Sequence, residues 1–116
     1  MVTDDSAFMR NMMVEILEDM GFDEVYEADD GSVAVEKFKE KGDIDIVTLD
    51  IVMEDMGGVE ALKNIKEEDN GVHCIMVSSV GQEQMKDEAK ENGAEHFIDK
   101  PFEDEEVKDT IADILA

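Results

Sequence analysis

The chain has 116 residues, 33 acidic and 10 basic, for a formal charge of −23; that is enough for one domain and too short for two. The charge excludes nucleic acid as a partner, because phosphate contacts need clustered Lys and Arg, and an apolar share of 42% excludes disorder in spite of it. No apolar run approaches the roughly 18 residues of a membrane span, the start carries no signal segment, and the single Cys74 allows no internal disulfide, so the expected location is the cytoplasm.

The chain then alternates strand and helix patterns. Met1-Val2-Thr3 reads as a short first strand. Ser6 is the predicted N-cap of a helix running to about Met20, with Phe8, Met9, Met12, Met13, Ile16 and Leu17 at helical spacing and Gly21 ending it. Val25 to Ala28 is a second strand. Asp30-Gly31-Ser32 opens a second helix that faces Val33, Ala34 and Phe38 inward and stops at Gly42. Ile44 to Leu49 is a third strand, followed by an acidic loop from Asp50 to Gly58 and a helix carrying Val59, Leu62 and Ile65. Val72 to Val77 is nearly continuous in apolar residues, as a strand buried on both faces should be. A helix over about Gln82 to Asn92, a strand at about His96 to Ile98, and a helix carrying Val107, Ile111, Ile114 and Leu115 complete the pattern. The reading is (βα)5: α/β, with one doubly wound parallel sheet.

Four groups stand at the ends of strand runs: Asp4-Asp5, Asp50, Ser78 followed by Ser79, and Lys100-Pro101. In an open parallel sheet the carboxyl ends of the strands share one edge, and ligands bind there. Three carboxylates, a hydroxyl and an ammonium would meet in one crevice. Such a cluster is costly unless a divalent cation and an anionic group complete it, and a metal-assisted phosphoryl site supplies both.

Asp4-Asp5-Ser6, Asp50-Ile51-Val52-Met53, Gly58, Ser78-Ser79 and Lys100-Pro101-Phe102, in this order and at these separations, resemble the receiver domain of two-component response regulators. The likeness is to the stand-alone, CheY-like chemotaxis type and covers the whole chain, so residues 1–116 are expected to form one receiver domain. It implies a flavodoxin-like sheet of strand order 2-1-3-4-5. It implies Asp50 as phosphoacceptor, forming an aspartyl phosphate. Mg2+ would be held by Asp5 and Asp50 directly, by Asp4 through water, and by the Val52 carbonyl. Ser78 would hydrogen-bond the phosphoryl group and Lys100 would pair with the acceptor, preceding a cis bond to Pro101. Phe97 takes the aromatic switch position, where many chemotaxis members carry tyrosine. On phosphorylation the loop 78–81 would shift and Phe97 would turn inward, changing the face formed roughly by 81–92 and 95–106.

The same resemblance implies a monomer that is a signalling phosphoacceptor and not an enzyme. Its partners would be a CheA-like histidine kinase and a flagellar switch or archaeal motor adaptor protein, with no nucleic acid and no membrane. A phosphorelay intermediate is the alternative within this class. The alternative outside it is an Mg2+-dependent phosphatase of the haloacid-dehalogenase type, since Asp43-Ile44-Asp45-Ile46-Val47 fits that family's pattern; but its aspartates follow a strand, and these precede one. The chain departs from the receiver pattern at Glu54, where the family almost always has proline, and in its short first strand. Cys74, His73, His96 and the nine methionines read as structural.

Self-repulsion at this charge opposes compaction. Salt relieves it, because the Debye length falls from about 10 Å at 0.1 M to about 3 Å at 1 M. The chain is therefore read as adapted to high salt, as in a halophile. The melting temperature should rise steeply between dilute buffer and molar KCl in a calorimetric or circular-dichroism melt, and a flat curve would remove that reading.

Overall fold

The structure, a computed structural model, describes residues 1–116. Five strands alternate with five helices: β1 (Val2–Thr3), α1 (Ala7–Asp19), β2 (Glu27–Ala28), α2 (Gly31–Lys41), β3 (Ile46–Asp50), α3 (Gly58–Glu68), β4 (His73–Ser78), α4 (Glu83–Glu91), β5 (His96–Asp99) and α5 (Asp104–Leu115). All pairings are parallel, in the order β2-β1-β3-β4-β5. The chain runs from β1 outward to β2 and then crosses back to β3. The direction of winding thus reverses at β1 and β3, and a crevice opens at their carboxyl ends.

Strand periodicity sorts the core into two layers. Val47 and Leu49 of β3 and Cys74 and Met76 of β4 face Ala34 and Phe38 of α2, Leu62 and Ile65 of α3, and Ala89 of α4. The alternate residues Val2, Ile46, Ile75, Val77 and Ile98 face Met13, Ile16 and Leu17 of α1 and Val107 and Ile111 of α5. Both faces of β3 are buried along its whole length, as expected for a strand with helices on each side. Each fully buried aliphatic side chain of this kind contributes roughly 1.5–3 kcal/mol.

The helix ends follow local chemistry. The Ser6 hydroxyl accepts from the Met9 amide at 3.3 Å, so Ser6 caps α1. Asp30 caps α2 by accepting from the Ser32 and Val33 amides at 2.7 and 3.1 Å. Gly42 closes α2 in the left-handed region, at φ 73°.

All five strands have limits that differ by at least one residue from the sequence reading, and β2 and β3 differ most. β2 is two residues long, because it pairs only with β1, whose own ladder is two residues long; Val25 packs instead against the α1–α5 layer. β3 begins and ends later than the apolar run, at Ile46 and Asp50, because its register with β4 pairs Ile46 with His73 and Asp50 with Val77. Asp50 is therefore the last residue of a paired strand and not the first of a loop. The Lys100–Pro101 bond is cis. No helix is long and apolar enough to cross a membrane.

Gly58 opens α3 directly behind Asp50. Its amide donates to the Ile51 carbonyl at 2.8 Å. A Cβ at this position would collide with the Asp50 carbonyl oxygen and stand 3.0 Å from the Ile51 Cα. Backbone cannot yield as a flexible side chain would. Gly58→Ala should lower the denaturant midpoint by an amount equivalent to about 1–3 kcal/mol, the usual range for overpacking, with no change in the m-value.

Candidate metal and phosphoryl site

The crevice is assembled from three strand ends. Asp4 and Asp5 follow β1, Asp50 ends β3, and Lys100 follows β5. One carboxylate oxygen from each of Asp4, Asp5 and Asp50 falls within 4.8 Å of the others. Asp4 and Asp50 are each only 5% exposed, so neither charge can rely on water, whereas Asp5 is exposed. The Lys100 ammonium answers both buried carboxylates: its Nζ lies 2.8 Å from Asp4 Oδ2 and 3.0 Å from Asp50 Oδ2.

The remaining oxygens divide by role. Asp4 Oδ1 accepts from the Ser6 amide at 2.9 Å, so both oxygens of Asp4 are taken within the chain. The Asp4 carbonyl accepts from Arg10 Nη1 at 2.8 Å, while Arg10 Nε donates to Glu27 Oε1 at 3.2 Å. Asp50 Oδ1 and the Asp5 carboxylate have no hydrogen-bond donor from the chain, and none engages the Val52 carbonyl. These hard oxygen donors, two of them carboxylates, fit a small divalent cation such as Mg2+, which takes one or two carboxylates and keeps several waters.

Burial pushes the Asp50 carboxyl up to about 6; the Lys100 hydrogen bond opposes that rise and the charge of Asp4 adds to it. For Lys100, burial alone would lower the ammonium, but hydrogen bonds from it to Asp4 and Asp50 outweigh burial and hold it above its ordinary value. Burial dominates the carboxyl and ion pairing dominates the lysine, so the two upward shifts are compatible.

Ser78 ends β4 and is fully buried. It lies one residue beyond Val77, the register partner of Asp50. The Lys100 amide donates to the Ser78 carbonyl at 2.7 Å, which couples the β4 and β5 ends. Phe97 is half-buried against the α2–α4 layer. Lys86 and Lys90 of α4 hold their ammonium groups 5.7 and 5.4 Å from its ring centroid.

The other residues singled out in the sequence lie elsewhere. Asp43 and Asp45 precede β3, at the sheet edge opposite Asp50; Asp43 accepts weakly from the Tyr26 hydroxyl at 3.4 Å. They cannot share a site with Asp50, and the phosphatase pattern is thereby removed. Cys74 is buried, and burial raises its thiol to about 11. His73 and His96 begin β4 and β5 at that same far edge. Glu54 is exposed in the loop after Asp50.

Two residues at the crevice escaped sequence reasoning. Arg10 buttresses the Asp4 backbone; the one signal pointing to it was that it is the chain's single arginine. Asp99 accepts from the Ser78 hydroxyl, and nothing in its sequence context distinguishes it from the other acids.

The charge balance sets a pH dependence. The folded Asp50 carboxyl holds its proton to about 6, against 3.8 for the ordinary group. Its contribution to stability is therefore fully present below that ordinary value and is lost as pH rises through 6. At about 1.4 kcal/mol per unit, the loss reaches at most about 3 kcal/mol. In chelator and fixed high KCl, Asp50→Asn should exceed the wild type in stability by about 1–3 kcal/mol at pH 7, with the gap closing as pH falls toward 4. A variant less stable than the wild type at pH 7 would show that the three aspartates do not repel one another on balance.

Comparison with known proteins agrees with this geometry. The family described as the response regulator receiver domain matches residues 1–112. The chemotaxis protein CheY of Halobacterium salinarum is 47% identical, over 99% of this chain and 94% of its own length. CheY of Bacillus subtilis is 46% identical over 96% of this chain and 92% of its own. Among solved structures, a chain of the CheX–CheY–BeF3–Mg2+ complex from Borrelia burgdorferi superposes with a TM-score of 0.91 at 37% identity, covering 99% of this chain and 87% of that one. A CheY-like receiver domain from Methanospirillum hungatei gives 0.91 at 25% identity, over 98% and 90%. The chain therefore belongs to the response regulator receiver family and is closely related to the chemotaxis protein CheY.

Proposed function

We propose that residues 1–116 form one receiver domain that accepts a phosphoryl group on Asp50 from a CheA-like histidine kinase and passes the signal on by protein binding, in chemotaxis or motility. The observation that carries this reading is the placement of a buried carboxylate, Asp50, within 4.8 Å of two more and 3.0 Å from one ammonium, at the reversal point of the sheet. No ordinary structural role needs three converging acids there.

The Asp50 carboxylate is the nucleophile, paired at Oδ2 with Lys100 before transfer. A new O–P bond forms at one of its oxygens as the P–N bond of the phosphohistidine breaks, and that electron pair returns to the imidazole nitrogen. Asp5, Asp50 and the Val52 carbonyl would hold Mg2+, with Asp4 reached through water because the chain already occupies both its oxygens. The cation supplies neutralisation of the charge on the transferring oxygens. Lys100 pairs with the acceptor before transfer and with the phosphoryl group after it, and the Ser78 hydroxyl takes another phosphoryl oxygen.

The consequence outside the crevice is a change in the β4–α4 loop, 78–81, and in the seating of Phe97 on the face built from α4, β5 and α5. A local charge change biasing a two-state element is sufficient for such a switch. The output partner would be a flagellar switch or an archaeal motor adaptor protein. The protein acts in the cytoplasm as a monomer, and its chemistry is that of a phosphoacceptor and not of an enzyme.

Incubation with acetyl phosphate and Mg2+ should add one phosphoryl mass to the intact wild-type protein and none to Asp50→Asn. Phosphorylation of that variant at the wild-type rate would overturn the assignment. In chelator-treated protein at fixed high KCl, Mg2+ at a hundredfold excess over its dissociation constant should stabilise the wild type by about 2.7 kcal/mol, and Asp50→Asn by less. An unfolding midpoint that ignores Mg2+ would remove the shared metal site.

A further inference from the structure

The Ser78 hydroxyl already has an acceptor inside the chain. Ser78 and Asp99 are register partners across β4 and β5, and Ser78 Oγ donates to Asp99 Oδ1 at 3.4 Å. The same oxygen lies 3.7 Å from Lys86 Nζ of α4, and Lys86 is one of the two ammonium groups over the Phe97 ring. One carboxylate oxygen thus touches both the hydroxyl at the crevice and a cation on the ring at the output face. A second donor of this loop is also engaged internally: the Ser79 amide donates to Gln82 Oε1 at 2.7 Å.

The Asp99 side chain is 77% exposed. Its hydrogen bond is long and its ion pair lies near water, so both contacts are weak and easily exchanged. A hydroxyl carries one proton and can donate it to one acceptor at a time. A phosphoryl oxygen at Asp50 would accept the Ser78 proton as a charge-assisted bond in a more buried setting, which is the stronger arrangement. Removing Ser78 from Asp99 leaves Lys86, which lies over the Phe97 ring, as the only contact of that carboxylate.

We propose that Asp99 is a positioning residue that competes with the phosphoryl group for the Ser78 proton and, through Lys86, ties that competition to the Phe97 ring. The proposal deepens the reading above and rests on Ser78 serving the phosphoryl group. The exposed acid before Lys100 then holds the unphosphorylated arrangement in place, at an energy small enough for one phosphoryl group to reverse.

Beryllium fluoride with Mg2+ serves as the phosphoryl probe, titrated by 19F NMR at fixed KCl. Asp99→Ala should bind it about three- to tenfold more tightly than the wild type, the scale of one weak contact. The gain should vanish in the Ser78→Ala background, which separates competition for the hydroxyl from bare charge repulsion. Without the probe, Asp99→Ala and Lys86→Met should shift the Phe97 ring resonances alike. The proposal is overturned by unchanged affinity in Asp99→Ala, or by an equal gain in both backgrounds. If Ser78→Ala binds as the wild type does, the phosphoryl role of Ser78 falls and this proposal with it. If Ser78→Ala binds weakly and Asp99→Ala binds normally, only this proposal falls.

Discussion

The Lys100 ammonium stands 2.8 Å from Asp4 and 3.0 Å from Asp50, and both carboxylates are almost wholly withdrawn from water. Two buried negative charges sharing one positive charge is an arrangement that neither burial nor pairing favours by itself. It holds because each participant is fixed by a different strand end, and the strands are fixed by a core that packs on both faces. Gly58 against the Asp50 carbonyl and Arg10 against the Asp4 carbonyl are part of the same constraint. They hold in place the backbone from which the carboxylates project.

The deficit of positive charge also underlies the proposed function. Lys100 satisfies Asp4 Oδ2 and Asp50 Oδ2, and the Ser6 amide satisfies Asp4 Oδ1. What remains is Asp50 Oδ1 and the exposed Asp5, an acceptor set for a hard cation. Burial raises the Asp50 carboxyl, and the neighbouring Asp4 charge adds to that rise. A site that were electrostatically content without a cation would have little affinity for one, so the local instability and the predicted metal binding have a single cause.

Cations are scarce in this chain, and their placement is selective. Of the ten basic residues, Lys100 holds the crevice, Arg10 supports the Asp4 backbone, and Lys86 and Lys90 cover Phe97. Lys86 also reaches Asp99. Most of the acidic surface is left to solvent and counterions, and the other six lysines lie away from the crevice.

The alternation of apolar runs with helical patterns was legible in the sequence because both periodicities are local: Val72 to Val77 reads as a doubly buried strand without knowledge of its neighbours, and Ser6, Asp30 and Gly42 announce helix ends by their own chemistry. The gathering of Asp4, Asp5, Asp50 and Lys100 was legible for a related reason, since parallel winding sends every strand end to one edge. Strand limits were not, because they depend on the partner: β2 is short because β1 is short, and β3 ends on Asp50 because β4 continues beside it. Nor could the sequence show that Lys100 contacts two carboxylates at once, that Arg10 backs Asp4, or that Asp99 rather than any other acid meets Ser78 and Lys86. Composition and spacing by themselves determined the layered fold and which polar groups stand at the carboxyl ends of the strands, because these follow from periodicity along the chain. Which oxygen is free and which is spent was decided only by tertiary structure, because that depends on distances between strand ends tens of residues apart, set by register and core packing.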